Sequence, residues 1–450
     1  MNLPRHYLRF GKFSEKDILQ KHKDCFEAIV FNANSIAYYG KSLSTFMFIK
    51  NCEKKFFIDP MTYAFQLPLT KISDSKGYIK SSIKKLIKHY GQPITSKIKN
   101  SYQDSQPVTY DDFNNDEIIE NFVENVLKFQ ENHLFYSADD SIKPYLEEFR
   151  DSIPTKPVFL VAPYFYLESF NTKLLNLNKK FIRVSKELRS SSNFPIAGEL
   201  VMTKELLEEM AKNHEIMDKV LEVYSEADIL LFWIDDFNEH TQSLNNLKNL
   251  KQLISSFKKK FNSKPVINLY GGYFSELLIK SGLYGVVHGP EYGESRSVSP
   301  VGGGIPISKF YFPMLKRRLA SNEIIWLLNG LNVNTARDFH KKVCQCKVCK
   351  KLIKGKSDIV DEFVKNYASV HPVQSNRYGF QREYPDLESI KNSLAHYLEV
   401  KKAEFKKIKE SKIGSLLKEL KESHKKVSKL GYFDEREIKY LLDWEKALKE

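Results

Sequence analysis

Short apolar runs alternate along this chain with longer polar stretches in which apolar residues return at helical spacing. The clearest runs are Phe56-Phe57-Ile58, Pro157-Val158-Phe159-Leu160-Val161, Ile229-Leu230-Leu231-Phe232-Trp233-Ile234, Pro265-Val266-Ile267-Asn268-Leu269 and Tyr284-Gly285-Val286-Val287. A strand apolar at nearly every position is covered on both faces, the condition of a parallel sheet flanked by crossover helices. Repetition of such runs at helix-length spacing predicts an α/β fold, a (β/α)8 TIM-like barrel. Chemistry in such barrels gathers just past the strand C-termini. That rule directs attention to Asp59, to Asp235 and Asp236, to Gly271 and Gly272, and to His288 beside Gly289.

The pattern changes twice. Residues 73–154 turn rich in Lys, Asn, Asp, Ser and Gln, with Lys84-Lys85-Leu86-Ile87-Lys88-His89 and Asp111-Asp112-Phe113-Asn114-Asn115-Asp116 as examples. They read as an inserted, mostly helical lid or arm, with residues 1–72 the first part of the barrel and 155–340 the rest. Residues 341–450 read as a metal-binding segment followed by two charged helices, about 384–412 and 412–450, whose charge runs suit solvated faces. Lys316-Arg317-Arg318 suits either a phosphate contact or an exposed helix end.

Cys344-Gln345-Cys346-Lys347-Val348-Cys349 places three of the five cysteines within six residues, whereas Cys25 and Cys52 are scattered. Thiolates at that density point to structural zinc with one further ligand. His396, on an amphipathic helix able to aim an imidazole firmly, is the preferred fourth ligand, and His371, in a Pro-bearing loop, is the alternative. No apolar run approaches the roughly 18 residues of a membrane span, and Met1-Asn2-Leu3-Pro4-Arg5-His6 opens no hydrophobic signal region. A cytoplasmic setting without membrane association is therefore expected, where clustered thiols bind metal more readily than they pair. The net charge of +14, from 70 Lys and Arg against 56 Asp and Glu, favours a polyanionic partner.

A barrel followed by C-x-C-x-x-C and a histidine on a later helix resembles the tRNA-guanine transglycosylase superfamily. Phe57-Ile58-Asp59-Pro60-Met61-Thr62-Tyr63-Ala64-Phe65-Gln66 looks like that family's D-S-G-G-[FY]-Q strand end, with the aspartate and aromatic-Gln kept and the paired glycines lost. Asn268 to Leu278, running on to Gly282 to Val287, looks like its G-x-G turn and last catalytic strand. Glu291-Tyr292-Gly293-Glu294-Ser295-Arg296 with Gly302-Gly303-Gly304-Ile305-Pro306 resembles the DNA-modifying branch, which inserts 7-deazaguanine bases. The resemblance implies exchange of a guanine in nucleic acid for a 7-deazaguanine base, with DNA the expected substrate and tRNA the alternative. It implies structural zinc, and an ATPase or other modification-system subunit as a further partner. A catalytically silent barrel that binds nucleic acid is the rival from another class.

Base exchange needs one carboxylate at the sugar carbon and an acid for the departing purine. The resemblance gives Asp59 the general acid/base role and implies a nucleophilic aspartate at the end of the late strand. That strand reads Val286-Val287-His288-Gly289-Pro290, with no aspartate there. The nucleophile is then expected at Asp59, Asp235 or Asp236, or at Glu291 or Glu294. Asp59, which also suits a helix cap, is expected to tolerate replacement by Asn with little loss of stability. Asp236, Gly271, Gly272, His288 and Arg296 are expected to contact the base or a phosphate.

Overall fold

The computed structural model describes residues 3–11, 15–50, 54–149, 153–192, 194–290, 293–299, 308–374 and 381–449. They form two compact units, one of Met1–Lys16, Glu27–Asn238 and Lys248–Val301, the other of Asp17–Phe26, Glu239–Leu247 and Gly302–Glu450.

The first unit is the expected barrel. Its strands are β1 (His6–Arg9), β2 (Ala28–Asn32), β3 (Lys55–Asp59), β4 (Leu160–Val161), β5 (Ile196–Met202), β6 (Ile229–Ile234), β7 (Val266–Asn268) and β8 (Gly285–His288). All pair in parallel in the order β3-β2-β1-β8-β7-β6-β5-β4. The Val158 amide donates to the Phe56 carbonyl at 2.9 Å across the remaining seam, so the sheet nearly closes. Alternate residues of the strands point inward. Tyr7, Val30, Phe57, Val161, Ala197, Val201, Leu231, Trp233, Ile267 and Val287 therefore share one buried core.

Three strands lay outside the apolar runs. β1 carries His6 and Arg9, β2 passes at once into the helix Ala33–Thr45, and β5 is interrupted by Gly198 and Glu199. Gly198 faces outward, where a Cβ would stand 2.8 Å from Ile182 Cδ1 and 3.1 Å from Tyr224 Cδ1. Only a bare backbone lets the flanking helices come that close.

The stretch expected as a lid carries a barrel crossover. Its long helix, Asp116–Tyr136, is capped by Asn115, whose side chain accepts from the Glu117 amide. Phe122 of that helix and Phe113 just before it pack on Phe181 of the helix Thr172–Leu188. Gln130 is buried and grips β4 from both sides: its Nε2 donates to the Val161 carbonyl and its Oε1 accepts from the Val161 amide, each at 2.8 Å. The polar residues that suggested an arm lie on helices as well as in loops, Lys84–His89 within the helix Ser81–Tyr90.

The eight strands are complete at His288, and the second unit takes in residues from 302, earlier than the expected change near 340. It contains two antiparallel pairs, β9 (Lys309–Phe312) with β10 (Arg317–Ala320) and β11 (Val370–Gln374) with β12 (Gln381–Pro385), among helices. The helix expected over 384–412 spans Leu387–Glu410, while the one expected over 412–450 divides into Ile413–Ser428, Glu435–Ile438 and Tyr440–Lys449, with Gly431 at φ +70° in the break. Lys316-Arg317-Arg318 forms no exposed helix end. Lys316 is buried with its Nζ 3.0 Å from Glu404 Oε1, and Arg318 of β10 lies over the Tyr397 ring.

Candidate active site and metal centre

The C-terminal ends of the strands bring a polar cluster into the barrel mouth. β1 ends in Arg9, β2 in Asn32 and β3 in Asp59, each with inward parity. Arg9 Nη1 donates to Asn32 Oδ1 and to Asp59 Oδ2, the latter at 3.3 Å. Asp59 Oδ1 accepts from the Tyr164 hydroxyl at 2.7 Å and from the Met61 amide at 2.9 Å. The amide contact closes a local turn and is not the helix cap read as an alternative in the sequence, since the following helix Thr62–Phe65 has Met61 at its cap position and no side-chain cap bond. It coexists with the ion pair, and Met61 has φ +54° in that turn. Every contact of Asp59 is made as an acceptor.

Glu199 was not singled out in the sequence. On β5 it shares inward parity with Ala197 and Val201, accepts from Trp233 Nε1 at 3.0 Å and interacts with the Tyr164 hydroxyl that bonds Asp59. Burial, reinforced by the negative charge of Asp59, raises Glu199 well above the usual carboxylate range. Burial thus favours its protonated form. Two carboxyl groups beside one hydroxyl stand with their nearest oxygens within roughly 6 Å. Both residues are 1% exposed, so a ligand reaches them only when side chains of the mouth move. Among the described residues, Arg9 Nε and Nη2 and Glu199 Oε2 have no partner in hydrogen-bonding geometry.

Aromatic rings stand around this pair. Trp233 meets Tyr63 at 5.6 Å and Tyr270 at 5.2 Å between ring centroids, and Tyr63 meets Tyr164 at 5.9 Å. Arg296 lies 5.4 to 6.0 Å from the rings of Tyr270, Trp233 and Tyr63, and Nη1 donates to the Tyr270 hydroxyl. Asp235, next in parity after Trp233, accepts from the Tyr166 hydroxyl at 3.1 Å and from the Val298 amide at 2.8 Å, tying the Arg296 segment to the end of β6. Burial and then the Asp235 charge raise Tyr166 far above its ordinary value.

Other expected residues do not join this cluster. Asp236 is exposed at φ +50° and faces Lys204 at 3.7 Å. A Cβ on Gly271 would meet Ser275 Cβ at 2.6 Å and Val286 Cγ1 at 2.8 Å, so its bareness serves the packing of this turn on β8 rather than the approach of a base. Gly272 is buried at the start of the helix Tyr273–Leu277. His288 alternates with the inward Val287 and turns outward, where its Nε2 meets that of His6. Glu294 is half-buried in the loop after β8, and Glu291 lies outside the described residues.

In the second unit Cys344, Cys346, Cys349 and His396 converge, with one donor atom from each within 4.8 Å of the others. His396 Nδ1 lies 3.4 Å from Cys346 Sγ and 3.3 Å from Cys349 Sγ. Nε2 donates to the Tyr311 carbonyl at 2.7 Å, which fixes Nδ1 as the outward donor. Phe310 stacks on the imidazole with centroids 3.9 Å apart. Hydrogen bonding with the Cys344 and Cys349 thiols and with His396 holds Cys346 far below the usual thiol range despite its burial, the state metal binding needs. Four such donors could hold an ion such as zinc in a closed tetrahedral site, which suits a structural role. His371 lies elsewhere, on exposed β11, with Nδ1 2.8 Å from Asp386 Oδ1.

Compared with known proteins, the chain matches no family model and no curated protein. Among the described residues, no helix is long and apolar enough to cross a membrane.

Proposed function

We propose that the barrel is a transglycosylase that exchanges a guanine in nucleic acid, with DNA the first choice, for a 7-deazaguanine base. The observation that carries this reading is the pairing in the barrel mouth of Asp59 with the buried Glu199 through Tyr164, with burial favouring the protonated form of Glu199. Breaking a glycosidic bond to a purine develops positive charge on the sugar and negative charge on the base. Asp59, ion-paired with Arg9, is the group for the sugar carbon, as nucleophile or as a countercharge. Glu199 is the acid for the departing purine, and Tyr164 can return a proton from one carboxyl group to the other. Trp233, Tyr63 and Tyr270 offer faces for a flat base, with Arg296 as donor at its edge. The Arg9 and Glu199 atoms without partners are what a bound polar ligand would satisfy.

Such an enzyme takes its target out of the base stack. The metal centre contributes folding free energy to its own unit rather than chemistry. The absence of an aspartate at the end of β8 favours the binding-subunit reading until Glu199 is considered, because Glu199 restores the second carboxyl group. Mass spectrometry of nucleosides from DNA and tRNA of cells with and without this gene tests the proposal. A deazaguanine nucleoside that depends on the gene supports it, and its presence in DNA or tRNA decides the substrate. Identical nucleoside profiles favour the binding subunit.

A further inference from the structure

Of the chain's 11 histidines, His6, His288 and His396 are fully buried. His396 belongs to the cysteine cluster. The other two face one another, and a buried carboxylate stands beside them.

His6 opens β1 and His288 closes β8, on adjacent strands paired in parallel. Each alternates with an inward residue, Tyr7 and Val287, so both imidazoles leave the barrel on its outer side. The helix Tyr273–Leu277 follows β7 there and supplies Glu276. That helix is pinned at its start, because Asn268 Nδ2 at the end of β7 donates to Ser275 Oγ at 2.8 Å and bare Gly271 lets the turn settle against Val286. His6, Glu276 and His288 are 3%, 0% and 0% exposed, and one donor atom from each lies within 4.8 Å of the others. The two Nε2 atoms are 2.5 Å apart, with ring centroids at 4.6 Å and planes 28° apart, so the two nitrogens face one another.

We propose that His6, His288 and Glu276 form a second metal site, for a divalent first-row transition ion, separate from the cysteine centre. Two imidazoles and one carboxylate are a donor set used by zinc and by non-haem iron. The three donors come from three separate elements and lie together in the buried layer outside the sheet, as a held cation requires. Tetrahedral bonds of about 2.0 to 2.1 Å place two ligand nitrogens roughly 3.3 Å apart, so the rings would separate by about 1 Å to admit the ion. Three protein ligands leave a position for water or a backbone carbonyl. The site lies behind the wall that carries Arg9, which it would brace by joining β1, β8 and the helix after β7. The competing occupant is a proton shared between the two imidazoles.

The test is elemental analysis of the full chain after loading with excess zinc and removal of loosely held metal. Two zinc ions per chain are expected, falling to one in Glu276→Gln and in His288→Ala. Cobalt loading of the unaltered protein provides a readout that needs no variant. One equivalent should show thiolate-to-cobalt charge transfer, and a second should add weak d–d bands without it. One zinc per chain under saturating conditions overturns the proposal in favour of the shared proton. So does a folded His288→Ala protein that keeps both ions, or a cobalt spectrum in which all bound metal carries the thiolate signature.

Discussion

Asp59 and Glu199 are equally buried, but Asp59 keeps three donors, Arg9, Tyr164 and the Met61 amide, and in the proposed reaction this difference would divide the work between them. Because the folded value of Glu199 lies above its ordinary 4.5, its stabilising contribution is complete below pH 4.5 and is lost as pH rises through the folded value. Within that window stability falls by about 1.4 kcal/mol per pH unit relative to a protein without the group. Glu199→Gln mimics the protonated acid and can keep the Trp233 contact, so its melting temperature should gain on the parent as pH rises from 5 to 8. Parallel curves for the two proteins would show that Glu199 is ionised in the fold. Asp59→Asn behaves differently from the mild cap replacement the sequence suggested. It leaves the Arg9 guanidinium buried without its countercharge, a loss of about 3 to 5 kcal/mol measurable by denaturant unfolding. A change below about 1 kcal/mol would mean the ion pair with Arg9 is not the larger part of what Asp59 contributes. Asp59 was legible because an acid after an apolar run marks a strand end. Glu199 was hidden because a charge inside a strand reads as an interruption, and only its inward parity beside Trp233 reveals it.

Helix placement decides both the barrel seam and the metal centre. Gln130 supplies both hydrogen bonds to Val161 from the helix Asp116–Tyr136, so Gln130→Leu leaves a buried amide and carbonyl unpaired at about 1 to 3 kcal/mol each. Chemical denaturation checks this, and an unchanged midpoint would remove Gln130 as the anchor of β4. At the metal centre, Cys349→Ala is expected to lose one equivalent of metal and to lower the stability of the second unit, whereas His371→Ala should retain the metal in full. The reverse pattern in elemental analysis would exchange the ligand assignment. The cysteine spacing was readable because three thiols in six residues carry the donor chemistry locally. His396 was preferred over His371 for its place on an amphipathic helix, and the fold agrees, while the Tyr311 carbonyl and the Phe310 ring that orient it are brought to it only by the folded chain. The crossover helix at Asp116–Tyr136 was masked by the polar residues on and around it, since composition averages over a segment while packing depends on one face.

Under the proposed function, the net charge of +14 over 450 residues would be met by phosphates of the nucleic acid. Phosphate contacts release counterions, so affinity for nucleic acid should fall linearly with the logarithm of salt concentration. A flat dependence would exclude phosphate contacts as the source of binding. The barrel itself was legible from the repeated apolar runs. Its first two strands and the fifth were not, because short strands bearing His, Arg, Gly or Glu lose the apolar signature exactly where they carry chemistry or close packing. The most direct measurement is incorporation of labelled guanine into DNA and into tRNA by the unaltered protein and by Glu199→Gln, both checked for folding. General acid catalysis contributes about 10²- to 10⁴-fold. The unaltered protein should therefore exchange guanine in one of the two nucleic acids, at a rate that falls as pH rises through the Glu199 value, and Glu199→Gln should be slower by a factor in that range. Exchange at the parental rate in Glu199→Gln, or none by the unaltered protein in either nucleic acid, would contradict the account.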